Sequence, residues 1–266
     1  MAGGARGDTG VLLPLAGPPR RIVSLVPSLT ETVAAAAPAR LAGATDWCSH
    51  PAGLDVPRVR GTKNPDLALI QALRPDLVLA NEEENRPADL AALRAAGVPV
   101  WVTAVRTVDQ ALASLHRMLT VACQLPAPGW LDEAAAAWAA VRPGPPRRAV
   151  IPIWRRPWMV LGQDTFAGDV LARLGVGNLY AGHAERYPKV ALDQLRAAGP
   201  DLVVLPDEPY HFAAGDGPEC FPGTDCALVS GRHLTWYGPS LVDAPQLLTR
   251  QLGAALAPPT REEHDR

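Results

Sequence analysis

Cys48 and His50 stand two residues apart in Trp47-Cys48-Ser49-His50-Pro51, just after a short apolar run. A thiolate and an imidazole at that spacing can project from one side of a loop. Together they suit zinc, copper, iron or the axial position of a corrinoid or haem. Only two ligands are local, so a closed transition-metal site needs a third from the second half of the chain, where His183, His211 and His233 fall in loops. Cys48, His50 and His211 form the candidate metal set. The same spacing also fits a plainer arrangement, with Cys48 a small buried hydrophobe and His50 a hydrogen-bonded loop residue.

Trp47, Trp101, Trp154, Trp158, Tyr187, Tyr210, Trp236 and Tyr237 are a large supply of rings for a chain with 3 Phe. Such rings grip flat macrocycles through buried area and stacking. Trp101 lies in a strand-like run and is expected in the core. Glu82-Glu83-Glu84 and Asp207-Glu208 each close a run of Leu and Val. They read as solvated strand ends, or as acids that hold a cation or act as a general base. Arg155 and Arg156 fall at a hairpin tip, where they either face water or meet an anionic group. The chain has no nucleophile elbow, no glycine-rich phosphate loop and no His-Glu-x-x-His, and Ser28 reads as a helix cap with Glu31 completing a capping box. One enzymatic route is left, a metal held by Cys48, His50 and a residue of the second half.

The elements that must position these residues are written in a phrase the chain uses twice. Asn64-Pro65-Asp66 leads into a short amphipathic helix, then Leu73-Arg74-Pro75-Asp76, then Leu77-Val78-Leu79 and the acids at 82–84. Tyr187-Pro188 leads into a second such helix, then Ala197-Ala198-Gly199-Pro200-Asp201, then Leu202-Val203-Val204-Leu205 and the acids at 207–208. The second copy reads as carrying a small insertion. Helix, Pro-Asp break, buried strand and acidic tip form half of a βαβ unit, so two similar α/β lobes are expected. Further strands are expected at 21–26, 41–46, 98–102, 149–154, 158–162 and 227–229, and a helix at 86–96 closed by Gly97. A helix capped by Asp164 or Thr165 should run to Leu174, and a last helix from about Pro239 to Leu256. Apolar residues at helical spacing from Thr107 to Cys123, a Pro-rich break and an Ala-rich helix over 130–141 form a connector.

The fold class expected is therefore α/β, two Rossmann-like lobes with parallel sheets joined by a long helical connector. The divisions are a flexible leader at 1–19, an N-terminal lobe at 20–106, the connector at 107–146, a C-terminal lobe at 147–257 and a disordered tail at 258–266. The 266 residues are 48% apolar and 20% charged, with net charge −2, which suits a globular core and argues against a nucleic-acid surface. No run approaches the roughly 20 apolar residues that span a bilayer. With no secretory signal pattern or lipid-attachment cysteine, the expected location is cytoplasmic and thiols are the expected state of its cysteines. Cys220 and Cys226 bracket a turn that would also allow a disulfide or a shared metal.

Ser24-Leu25-Val26-Pro27-Ser28-Leu29-Thr30-Glu31, Gly61-Thr62 before Asn64-Pro65-Asp66, and Leu73-Arg74-Pro75-Asp76-Leu77-Val78 with the connector resemble the substrate-binding proteins of cobalamin and iron-siderophore ABC importers. These are the helical-backbone metal receptors, and the resemblance covers about residues 20–256. It is nearest to the cobalamin binders. It implies a ligand (cobalamin, haem or a siderophore-like chelate) held between two lobes, with Trp47, Cys48, His50, Tyr187, Tyr210, Trp236 and Tyr237 facing it. It also implies docking of Glu82, Glu83 or Glu84 and of Asp207 or Glu208 onto an ABC permease. The alternative is a cytoplasmic metal-dependent enzyme on the same fold.

Overall fold

The computed structural model describes residues 5–256. Its first feature is a hairpin of β1 (Ala5–Arg6) and β2 (Leu12–Leu13). The Asp8 carboxylate at the turn accepts from Ser114 Oγ and the Ala104 amide and pairs with Arg117. Within the leader expected at 1–19, residues 5–13 thus form a hairpin, while residues 1–4 and the expected tail at 258–266 lie outside the described residues.

Chain order continues with β3 (Ile22–Ser24), α1 (Pro27–Ala36) and β4 (Leu41–Ala44). The short hairpin β5 (Arg60–Gly61) and β6 (Asn64–Pro65) precedes α2 (Leu67–Ala72), β7 (Leu77–Asn81), α3 (Pro87–Ala95) and β8 (Val100–Thr103). Strands β4, β3, β7 and β8 pair in that order, all parallel. Val23, Val78, Val100 and Val102 of these strands pack with Ile70, Leu90 and Leu93 into one core. Each such buried aliphatic chain contributes about 1.5–3 kcal/mol.

The capping box expected at Ser28 does not form. Pro27 opens α1 from its first turn, where its fixed φ and missing N–H cost nothing, so Val26 occupies the cap position and Ser28 is buried inside the helix. Gly97, at φ +78, follows α3 in the left-handed conformation that ends helices.

α4 (Val108–Arg117) runs into a π-helical turn at Met118–Ala122, and α5 (Trp130–Ala139) follows. Two units divide the described chain: residues 5–105, 109–135 and 237–239 form one, and 106–108, 136–236 and 240–256 the other.

The second unit contains β9 (Arg147–Val150), a hairpin of β10 (Pro152–Arg155) and β11 (Trp158–Val160), then α6 (Phe166–Arg173) and β12 (Val176–Asn178). Next come α7 (Leu192–Ala197), β13 (Leu202–Pro206), β14 (Asp225–Val229), α8 (Gly231–Thr235) and α9 (Ala244–Gly253). Strands β12, β9, β13 and β14 form a second parallel sheet. Thr165 caps α6 by accepting from the Gly168 amide at 3.3 Å. β12 and α8 were not foreseen. β12 is three residues long with a central glycine, too short to show a period of two.

Numbered in chain order within each sheet, the strands follow 2-1-3-4 in both units. The repeats superpose without an insertion: α2 and α7 start at 67 and 192, the Pro-Asp pairs end at 76 and 201, and β7 and β13 start at 77 and 202. Arg74 (φ 47) and Gly199 (φ +62) hold the same left-handed position after their helices. Each Asp then straps its sheet. Asp76 accepts from the Arg20 and Arg21 amides at 2.8 and 2.9 Å, and Asp201 accepts from the Arg148 amide at 2.9 Å.

Candidate functional site

In sheets of this order ligands sit outside the carboxyl ends of the strands, where the first and third strands send their connections in opposite directions. In the first unit the reversal lies between β3 and β7, and the loop leaving β4 stands beside it. That loop carries Trp47, which is 68% exposed. Its backbone is tightly held. Arg58 donates to the carbonyls of Thr45, Cys48 and Leu54, each at 3.0 Å, and the Asp46 amide donates to Arg60 O at 2.9 Å. Gly61 leaves room for the Asn64 side chain, whose Oδ1 a Cβ there would meet, and stands beside the indole, with Trp47 Nε1 3.4 Å from that Cβ position. A large ring held in water by so many backbone contacts is an unmet apolar surface.

Cys48 turns the other way. It is 1% exposed, and its sulfur lies 2.9 Å from Thr30 Oγ1 and 3.1 Å from Thr45 Oγ1. His50 is half-buried with Nδ1 3.1 Å from Ser49 Oγ. The thiol is therefore engaged with hydroxyls inside the first unit, and among the described residues no group of three or more His, Cys, Asp or Glu side chains is placed to hold a metal ion. The expected metal set Cys48, His50 and His211 is not among any such group.

The acidic tip after β7 is organised by an asparagine that the sequence reading did not single out. Asn81 is 3% exposed, and its Oδ1 accepts from the Glu83 and Glu84 amides at 2.8 and 3.1 Å. Its Nδ2 donates to Tyr237 Oη at 2.6 Å and to Thr103 O at 3.1 Å. Asn85 accepts from the Asn81 amide and donates to Thr62 O. Glu82 and Glu83 are partly covered and Glu84 is exposed.

Tyr237 was expected to face a ligand. Instead it is 7% exposed and its hydroxyl completes this buried network, where burial pushes its ionisation well above the ordinary tyrosine value. Trp236 is likewise 7% exposed. Both follow α8, an element whose five residues gave no periodic signal.

In the second unit the reversal lies between β9 and β13. The β10–β11 hairpin and the segment 207–211 leave from there. Trp154 is 41% exposed and meets Tyr210 edge-on at 5.6 Å between centroids. Tyr210 packs on Phe212 at 4.6 Å, and Phe212 stacks on Trp158 at 6.0 Å. Tyr210 donates from its hydroxyl to Asp216 at 2.7 Å.

Arg155 is neither idle nor open to a ligand. It pairs with Asp216 and with Glu219 (2.6 Å), contacts Cys220 Sγ at 3.1 Å and lies 5.7 Å over the Trp158 ring. Partial burial would raise Glu219, but the Gly217 amide, Cys220 and Arg155 hold its carboxyl below the usual carboxylate range. Cys220 and Cys226 are free thiols, and burial pushes Cys226 up to about 11. Tyr187 is half-buried with Arg186 5.8 Å over its ring. Asp207 is exposed and accepts from the Gly231 amide at 2.6 Å, Glu208 is half-buried, and His211 is exposed with Nδ1 3.3 Å from Asp207 O.

Residues 22–210 match the family model described as periplasmic binding protein. A vitamin B12-binding protein of Pectobacterium carotovorum is 25% identical over 268 residues, covering 94% of this chain and 95% of its own. The periplasmic vitamin B12-binding protein of Vibrio cholerae aligns in three dimensions with TM-score 0.68 at 20% identity, covering 89% of this chain and 97% of that one. A periplasmic heme-binding protein of Roseiflexus sp. RS-1 aligns with TM-score 0.72 at 22% identity, covering 89% and 100%. The expected cytoplasmic location is overturned by these matches, since the family and the aligned proteins are periplasmic. In the described residues no helix is long and apolar enough to cross a membrane. With most of its length matched by that model, the chain belongs to the periplasmic binding protein family.

Proposed function

We propose that this chain is the soluble receptor of an importer and that its ligand is a flat metal chelate, a corrinoid or haem. The observation that carries the reading is Trp47, a ring 68% exposed on a loop that Arg58 fixes at the carboxyl end of a parallel sheet. Burying a ring of that size against a macrocycle recovers area the folded chain leaves in water. The named ligands of its relatives, vitamin B12 and heme, support the same class. Trp154 and the half-buried Tyr187 and Tyr210 are the aromatic candidates in the second unit. The chelate is cargo and needs no resident metal ligand, which agrees with a Cys48 committed to the interior.

Absorption titration with aquocobalamin and with ferric protoporphyrin IX tests this. At least one should bind without turnover, and Trp47→Ala should weaken that binding about tenfold, the equivalent of about 1.4 kcal/mol. Binding of neither macrocycle would end the proposal. Docking to an ABC permease is proposed through Glu84 and Asp207, the exposed members of the two acidic tips. Charge reversal at both should abolish stimulation of the permease's ATPase while ligand affinity stays unchanged.

A further inference from the structure

Thr45-Asp46-Trp47-Cys48 is a β-turn, with the Cys48 amide donating to Thr45 O at 3.1 Å and Trp47 in its third position. Both ends of this turn are sunk in the first unit. Thr45 is fully buried, Cys48 is 1% exposed, and the cysteine sulfur lies against the hydroxyls of Thr30 and Thr45. Only the ring between them reaches water, with its Nε1 edge beside Gly61.

Arg58 closes the same turn from outside. Its Nη1 donates to both Thr45 O and Cys48 O, the first and last carbonyls of the turn, and its Nη2 donates to Leu54 O further along the loop. The backbone that carries it is itself in register with the sheet. Arg58 bridges Ala44 in parallel, the Ala44 amide donates to Pro57 O at 3.1 Å, and the Val59 amide donates to Ala44 O at 2.9 Å. A planar fork of N–H donors can span three carbonyls in fixed directions, whereas an ammonium is a point charge on a flexible stem. What the fork fixes is the direction in which Trp47 leaves the backbone.

We propose that Arg58 is a positioning residue for ligand binding: it does not touch the ligand, and it raises affinity by holding the Trp47 ring in its binding direction before the ligand arrives. A loose turn would have to be ordered on binding, and immobilising one such side chain weakens association by about two- to tenfold. The inference rests on the proposed function and concerns the first unit alone. It also gives buried Cys48 a part in the site, as the inner anchor of the turn.

The test is a double-mutant cycle read with aquocobalamin and ferric protoporphyrin IX. Arg58→Ala should weaken binding of whichever macrocycle the wild type takes by about fivefold, and in a Trp47→Ala background the same change should cost less than about twofold. Arg58→Lys keeps the charge and loses the fork, so it should bind as weakly as Arg58→Ala. A second readout needs no ligand. With fluorotryptophan incorporated, the fluorine NMR line that disappears in Trp47→Phe should move and broaden in Arg58→Ala. The line of Trp101, buried in the same unit, should stay in place and show that the fold stands. Should Arg58→Ala fail to fold, Arg58→Lys carries both readouts. An equal loss in both backgrounds, full affinity in Arg58→Lys, or an unmoved Trp47 line would each overturn the inference. If neither macrocycle binds, the proposed function falls, and the fluorine line alone decides whether Arg58 orders the ring.

Discussion

At the scale of single residues, the four cysteines show how place overrides type. Cys123 is fully buried, and burial pushes its thiol up to about 12 against the weaker opposing field of Arg40, whose guanidinium donates to the Cys123 carbonyl at 2.8 Å. The unfolded chain releases that proton near the ordinary thiol value of 9.0, so between there and about 12 the native state binds more protons than the unfolded state. Stability must then fall as pH rises through that window, by up to a few kcal/mol in the limit. Buried Cys226, pushed up to about 11, adds to the same slope, first through burial and then through the charge of Asp225. A urea midpoint that stays level from pH 8 to pH 10.5 would contradict this. Thiol labelling of the native protein at pH 8 should modify Cys220, the only half-exposed cysteine, and spare Cys48, Cys123 and Cys226 until denaturant is added.

At the scale of elements, the Pro-Asp phrase is a strap as well as a boundary. Its carboxylate satisfies backbone amides at the start of the neighbouring strand, and replacing either Asp by Ala hands those exposed donors to water. Asp76→Ala should cost about 0.5–1.5 kcal/mol, read as a lower denaturation midpoint with an unchanged m-value. Asp201 is held below the usual carboxylate range, first by the side-chain hydrogen bond from Arg148, and its strap persists into mild acid. The residue before each Pro sits at positive φ, where a β-carbon costs about 1 kcal/mol. Gly199→Ala should therefore destabilise by about that amount and Arg74→Gly should stabilise slightly, since the exposed Arg74 side chain gives up nothing. The opposite ranking would show that the two positions are not equivalent.

At the scale of the molecule, each unit has its own core and its own parallel sheet. A ligand that binds only the folded chain adds stability by mass action, about 2.7 kcal/mol at a hundredfold excess over Kd. The favoured macrocycle should thus raise the melting temperature by a few degrees, and it should do so less for Trp47→Ala at the same concentration. A macrocycle that leaves the transition unmoved at saturating concentration would show that it does not bind the native fold.

The phrase written twice and the runs of Val and Leu determined two α/β lobes, because strand burial and helix amphipathicity are local periodicities that survive without tertiary context. Trp101 could be assigned to the core for the same reason. The site was less legible. Whether Cys48 faces a ligand or two threonine hydroxyls depends on Thr30, which lies 18 residues away on a helix. Tyr237 reaches Asn81 and Thr103 across 156 and 134 residues, and Arg155 finds Glu219 across 64. Pairings over such separations leave no spacing in the sequence. Only the tertiary structure decided which aromatic rings stay in water, which cation is neutralised, and that the repeats are in register to the residue.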